Sequence, residues 1–388
     1  MLLRSLRLQR LLSFGPEAPT VELRSLNILI GPNGSGKSNF IDAIGLLRAA
    51  PTELQNPVRD SGDILAWIWQ GPGEARAELE AVVCNHPESR GDLRHRLAFV
   101  EAGQRFKLDD ERVEFARPKS RQKKPFLFFG YERGRPMLTA QGERRELRHE
   151  QIDPQRSILA QRRDPDQYPE LTYLADAYGA IRLYRSWNFG RYAPPRQPQP
   201  ASLPNDYLLE DASNLGLVLN HLRMRSETKS AVLSGLRRLY DGIVDYDVRV
   251  LGGTVQIFLE ETGGRVIPAT RLSDGTLRWL ALLAVLLDPS PPRLICIEEP
   301  ELGLHPDLLG ELARLLRDAA GRTQLVVTTH SSQLVDAFTD APESILVCER
   351  HEGTTSMQRL DPERLAVWLE RYGLGELWAK GELGGTRW

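Results

Sequence analysis

The stretch "VELRSLNILIGPNGSGKSNFIDAIGLLRAA", Val21 to Ala50, decides how the rest of the chain is read. Val21 to Ile30 reads as a strand that ends on a continuous apolar run. Phe40, Ile41, Ile44, Leu46 and Leu47 then recur at helical spacing. Between the two lies Gly31-Pro32-Asn33-Gly34-Ser35-Gly36-Lys37-Ser38, a match to G-x-x-x-x-G-K-[ST]. Such a turn curls so that its N–H groups face a phosphate, because glycine adopts backbone angles closed to other residues. The following helix, entered through Asn39, offers its positive N-terminal end to the same anion. In this arrangement Lys37 reaches the β- and γ-phosphates and the Ser38 hydroxyl sits on Mg²⁺. The strand before and the helix after supply the context the motif requires. ATP and Mg²⁺ are therefore the expected ligands.

A second apolar run, "RLICIEEPELGLHP", ends in Glu298 and Glu299. One carboxylate at a strand end can hold Mg²⁺ and its neighbour can take a proton from attacking water. Adjacent acids project in different directions, so two roles fit. Alone, the pair reads as a solvated strand end; beside a phosphate loop it reads as catalytic. "QLVVTTHSS" is a third apolar strand, ending at His330, one helix further on. That order brings the two strand ends side by side and makes His330 a candidate contact of the γ-phosphate. "RLSDGTLRWLALLAVLL", Arg271 to Leu287, opens on small polar residues and runs into an apolar helix. It reads either as a plain N-cap at Ser273 or Asp274, or as a phosphate-sensing helix end.

Together the loop at 31–38, LSDGT at 272–276, EEPE at 298–301, LHP at 304–306 and His330 resemble the ATP-binding-cassette ATPases, specifically the RecF/SMC-like branch of AAA-type ATPases. The resemblance covers roughly the first sixty residues and everything after about 245. It implies an α/β P-loop NTPase head: a mixed sheet, an antiparallel β lobe and a long α/β insertion. It further implies a homodimer with ATP sandwiched between heads, Lys37 of one copy facing Ser273 and Gly275 of the other, with Asp274 between them in the signature. Glu299 is then the proton acceptor. The chain departs from the family pattern at two positions. Glu298 stands where the Mg²⁺-side residue is usually Asp. Asp274 stands at the second signature glycine, so its carboxylate must point away from phosphate or cap its own helix. The family also places a glutamine on Mg²⁺. Gln151, Gln155 and Gln161 are candidates, with Gln155 favoured.

The 388 residues are 41% hydrophobic and 26% charged with a net charge of -2, so no global basic field draws in nucleic acid. Cys84, Cys296 and Cys348 lie far apart without metal-type spacing, which fits a reducing cytoplasm rather than a disulfide framework. The apolar N-terminus is broken by Arg4, Arg7 and Arg10, and the run Trp279 to Leu287 is too short to cross a bilayer, so no membrane association is expected. The expected organisation is a discontinuous ATPase domain, 1–60 with 245–388, around an insertion at 61–244. The insertion would hold an antiparallel lobe at about 74–131, a proline-rich linker at about 193–204 and a helical segment at about 205–242.

The long span from Lys37 to Ser273 argues against a compact transporter subunit. Missing heptads argue against a long-armed chromosome tether, and too little chain follows His330 for a fused nuclease domain. Two functions compete. One is a DNA-associated clamp or sensor in repair, recombination or anti-phage defence, suggested by the resemblance and by basic segments at 117–124, 143–148 and 182–196. The other is an ATP-driven regulator of a separate effector protein such as a nuclease or toxin.

Overall fold

A computed structural model describes residues 1–84, 91–118 and 123–385. The chain is a mixed α/β protein that divides into two compact units. One comprises Met1–Ile181, Leu346–Leu360 and Leu383–Trp388, the other Arg182–Ile345 and Asp361–Glu382.

The first unit is built on an antiparallel sheet whose strand order is Val21–Glu22, Leu3–Gln9, Arg76–Val83, Leu93–Glu101, Phe106–Phe115, Leu127–Glu132, Arg135–Ala140 and Glu143–Glu146. Strict alternation makes these strands. In Arg76–Val83 the residues Ala77, Leu79, Ala81 and Val83 are buried while Glu78 and Glu80 face out. The sheet reaches well beyond the lobe expected at 74–131, because the N-terminal Leu3–Gln9 pairs with Arg76–Val83. A buried polar cluster fastens the sheet to the segment beyond it. Glu111 lies 2.9 Å from His95 and accepts from the Ser157 hydroxyl at 2.5 Å and the Ile158 N–H at 2.7 Å.

The phosphate-loop strand also belongs to this unit but is shorter than the expected Val21–Ile30. It spans Leu26–Ile30, with Val21–Glu22 a separate strand of the other sheet. Asn27 explains the break, since its side chain accepts from the Arg24 N–H and donates to the Arg24 carbonyl, folding the chain on itself. Leu26–Ile30 lies beside Ile345–His351, which forms a hairpin with Thr354–Arg359. The helix after the loop runs from Lys37 to Ala49.

In the second unit Arg182–Tyr184, Leu294–Glu298 and Gln324–Thr328 run parallel. The last two are continuous apolar runs, as strands covered on both faces must be. A second sheet joins Ile243–Leu251, Thr254–Glu261 and Arg265–Pro268. The proline-rich segment expected as a bare linker contributes Gln199–Pro200 to the edge of this sheet, a place where a missing N–H is tolerated. Helices Leu215–Arg223, Ser226–Arg237, Asp274–Leu286 and Leu309–Ala320 supply the core. Trp279 donates to the Gly235 carbonyl at 2.8 Å, and a Cβ on Gly235 would meet Leu283 at 2.5 Å, so two helices approach closely there. The segment "LGELWAK" near the C-terminus is a docked helix, Leu374–Ala379. Leu374 N–H donates to Thr339 and Gly375 N–H to Asp336. Among the described residues no helix is long and apolar enough to cross a membrane.

Candidate functional site

Three residues of the loop in the first unit take positive φ: Gly31 at 146°, Gly34 at 77° and Gly36 at 101°. Two of these glycines are also demanded by space. A Cβ on Gly31 would stand 2.2 Å from the Cys348 carbonyl, and one on Gly36 would stand 2.3 Å from Thr355 Oγ1. Thr355 donates to the Ser35 carbonyl at 2.9 Å and shares a 2.7 Å hydrogen bond with the Ser13 hydroxyl, which accepts from Asn39 at 2.7 Å. Ser13 and Thr355, which carry no motif of their own, thus brace the loop from behind. Lys37 is buried, and its ammonium donates to the Gly31 carbonyl at 2.7 Å and the Pro32 carbonyl at 3.0 Å. The Ser35 hydroxyl is buried without a hydrogen-bond partner. Pro32, Asn33, Gly34 and Ser38 form the more open side of the turn. A rigid glycine cradle with a folded-in ammonium and an orphaned hydroxyl fits a phosphate chain.

In the second unit, Glu298 closes its strand and lies opposite Thr328 in register. Its Oε1 accepts from Arg185 Nε at 2.8 Å. Arg185 follows the short strand Arg182–Tyr184, so tertiary pairing and no local signal delivers it. Glu299 has φ 47°, the left-handed region that a non-glycine residue enters at a cost. Its N–H is held by the Thr328 carbonyl at 3.0 Å. This turn separates the two carboxylates: Glu298 goes to Arg185, whereas Glu299 lies 3.6 Å from His330 Nε2. Glu301, unassigned in the sequence, fixes the histidine from below. It accepts from the Thr329 hydroxyl at 2.6 Å and the His330 N–H at 3.0 Å. Burial raises its pKa above the usual carboxylate value.

The signature helix of this unit starts as one of the two sequence readings required. Ser273 is the N-cap, accepting from the Thr276 N–H at 3.0 Å. Asp274 therefore does not cap. It pairs instead with Arg196, a buried arginine whose other donors reach the carbonyls of Phe189 at 2.8 Å, Ala269 at 3.1 Å and Leu272 at 2.5 Å. The acidic departure from the family pattern thus arrives with its own counter-charge. Gly275 has a steric reason, since a Cβ there would stand 2.6 Å from the Gly303 carbonyl. Ser273, Gly275, Gly303 and His305 line one cavity of about 500 Å³. The segment 303–308, with LHP, and the signature helix end therefore line one surface.

Of the three candidate glutamines, two are committed locally. Gln151 accepts from the Arg148 N–H, and Gln161 is tied to the Asp153, Arg156 and Ser157 backbone. Gln155 lies in the first unit against Gln55, on a cavity of about 390 Å³. Its side-chain amide makes no hydrogen bond among the described residues. In the basic segment 182–196, Arg191 is exposed beside Tyr192, and the other three arginines have partners. Arg185 and Arg196 are engaged as above, and Arg182 stacks on Tyr207 at 4.0 Å. Residues 119–122 of the segment 117–124 lie outside the described residues.

A strand, a glycine turn bracing a buried lysine, and a helix define the class: a P-loop ATPase. The family model described as "AAA domain, putative AbiEii toxin, Type IV TA system" matches residues 26–336, and the chain belongs to that family. Its fold is that of SMC-like heads. It is similar to an Smc head bound to the C-winged helix domain of ScpA, at 15% identity and a TM-score of 0.59, covering 93% of this chain and 99% of that one. It is also similar to an Smc head with an extended coiled coil bound to the C-terminal domain of ScpA, derived from Pyrococcus furiosus. There the identity is 13% and the TM-score 0.58, with 95% and 98% covered. No curated protein matches the chain in sequence.

Proposed function

We propose that the protein binds and hydrolyses ATP and works as a switch by closing on a second copy around two ATP molecules. The observation that carries this reading is the pair Glu299–His330, held 3.6 Å apart by a left-handed residue and a buried carboxylate. Backbone strain at a strand end beside a histidine is expected where a carboxylate must be aimed rather than merely solvated. Lys37 and the N–H groups of residues 31–38 hold the β- and γ-phosphates. Ser38, Glu298 and Gln155 would hold Mg²⁺, which would neutralise charge developing on the phosphates. Arg185 orients the Glu298 carboxylate. Glu299 accepts the proton of the attacking water, and His330 positions that water. Ser273 and Gly275 of the second copy read the γ-phosphate with the positive end of their helix. Arg196 keeps the Asp274 charge from opposing that contact. Loss of the phosphate removes the contact, so hydrolysis opens the pair. Within this reading residues 1–60 and 245–388 are the ATPase domain and 61–244 the insertion.

We further propose that the switch acts on DNA, in repair, recombination or anti-phage defence. Regulation of a separate effector protein is the second reading. It is favoured by apolar residues exposed on one hairpin, Val250 at 58% and Leu251 at 67%, and by the family's toxin–antitoxin description. Ser273→Arg tests the switch. ATP binding by the monomer is expected to persist while ATP-dependent dimerisation is lost. A fall in monomer affinity for ATP would reduce Ser273 to a simple cap.

A further inference from the structure

The outward face of the antiparallel sheet changes character along its length. On Arg76–Val83, Leu93–Glu101 and Phe106–Phe115 acids and bases alternate and pair. Arg96 meets Asp110, and Arg94 lies 3.1 Å from Glu114 and 3.7 Å from Glu80. Toward the last three strands pairing continues, Arg135 lying 3.3 Å from Glu146 and Arg144 meeting Glu132, but bases come to outnumber acids around one cavity. A cavity of about 1140 Å³ opens there, lined by Arg94, Arg112, Lys124, Arg133, Arg135 and Arg144. Only two carboxylates, Glu114 and Glu132, stand among its described lining residues. Both are already used. Glu114 is shared by Arg94 at 3.1 Å and Arg112 at 3.3 Å, and Glu132 is taken by Arg144. The hydrogen bond from Arg144, with the nearby charges of Arg112 and Lys124, holds the Glu132 carboxyl below its usual range. Lys124 and Arg133 are exposed and have no carboxylate partner among the described residues.

Arg133 carries a second indication. It and Gly134 form the two-residue turn between Leu127–Glu132 and Arg135–Ala140, with φ 52° and 78°. A turn with both φ positive favours Asn-Gly, and arginine occupies it at a cost in backbone energy. At the tip of this turn the Arg133 side chain is exposed beside the cavity it lines. Phe126 and Tyr131 complete the wall. Phe126 is fixed edge-on against Phe128, with ring centroids 5.1 Å apart. On a chain of net charge -2 this is a local, concave, cationic site with aromatic rings in it.

We propose that this groove binds a single-stranded stretch of nucleic acid, Lys124, Arg133, Arg135 and Arg144 meeting successive phosphates and Phe126 and Tyr131 meeting bases. Cations along a concave track with aromatic faces in its wall suit unpaired bases, whereas a duplex keeps its bases stacked and turned inward. The proposal rests on the DNA-associated reading above and gives it a surface.

The test is fluorescence anisotropy of a labelled single-stranded oligo(dT), with the full chain, over a series of salt concentrations. The comparison is the double variant K124Q/R133N. Asn suits the turn better than Arg, so the variant folds, and neither residue belongs to the nucleotide machinery. Each phosphate contact to a single strand contributes about 0.7 to the slope of log affinity against log salt. The variant is therefore expected to bind more weakly and to lose about 1.4 from the slope, with ATP turnover unchanged. Wild-type protein that binds, with a variant of equal affinity and slope, would overturn the groove and leave the DNA reading standing. Wild-type protein that prefers duplex of the same length would overturn the single-strand assignment. Wild-type protein that binds neither would remove both readings.

Discussion

Arg196→Met tests what holds the signature turn in place. The Arg196 side chain is 6% exposed, whereas that of its partner Asp274 is 68% exposed. The three carbonyls of Phe189, Ala269 and Leu272 therefore matter more than the ion pair. A hydrogen bond to a charged group nets roughly 1.5–3 kcal/mol, and the three are not additive because they share one guanidinium. Leaving a buried acceptor unsatisfied costs about 1–3 kcal/mol, and with three carbonyls left without their donor a loss of roughly 3–5 kcal/mol is expected. For a unit of this size each kcal/mol lowers Tm by about 2–4 °C, so a fall of roughly 6–20 °C is expected. Asp274→Asn leaves all three carbonyl contacts and removes a largely solvent-screened pair, costing at most about 1 kcal/mol. The assay is thermal unfolding followed by tryptophan fluorescence, since Trp187 and the fully buried Trp279 lie in the same unit. An Arg196→Met transition within about 2 °C of wild type, or an Asp274→Asn loss equal to it, would refute the reasoning.

Other perturbations have equally definite outcomes. Glu301 has its pKa raised by burial, so its favourable contribution to folding is complete below the ordinary carboxylate pKa and is lost as pH rises through the folded value. Glu301→Gln removes this titration. Its stability relative to wild type should rise with pH across that window in urea melts; a pH-independent difference would contradict the burial argument. Gly275→Ala forces a Cβ against the Gly303 carbonyl, 2.6 Å away, and is expected to cost roughly 1–3 kcal/mol by equilibrium unfolding. A neutral substitution would show that the two loops do not pack as described.

What was legible in the sequence was local. Glycine spacing between a strand and a helix needs no distant partner to be recognised, and the runs ending at Glu298 and Thr328 show their burial in their own composition. Residues whose roles depend on distant chain were not legible. Leu3–Gln9 alternates only loosely and becomes a strand because Arg76–Val83 is there to pair with it. Arg196 sits in a proline-rich stretch that reads as a connector, yet it organises carbonyls at 269 and 272. Arg185 reaches Glu298 across more than a hundred residues of sequence. Asp274 looked like a cap because it opens the helix; Ser273, one residue earlier, has the extended backbone a cap needs.

The central claim is that ATP closes two copies and that Glu299 ends the closed state. Glu299→Gln should bind ATP, slow its hydrolysis by about 10²–10⁴-fold, and accumulate as a dimer in ATP. The direct measurement is the mass of this variant in solution with and without ATP. Twice the monomer mass is expected with ATP, and the monomer mass without it. A mass unchanged by ATP, together with hydrolysis at the wild-type rate, would contradict it.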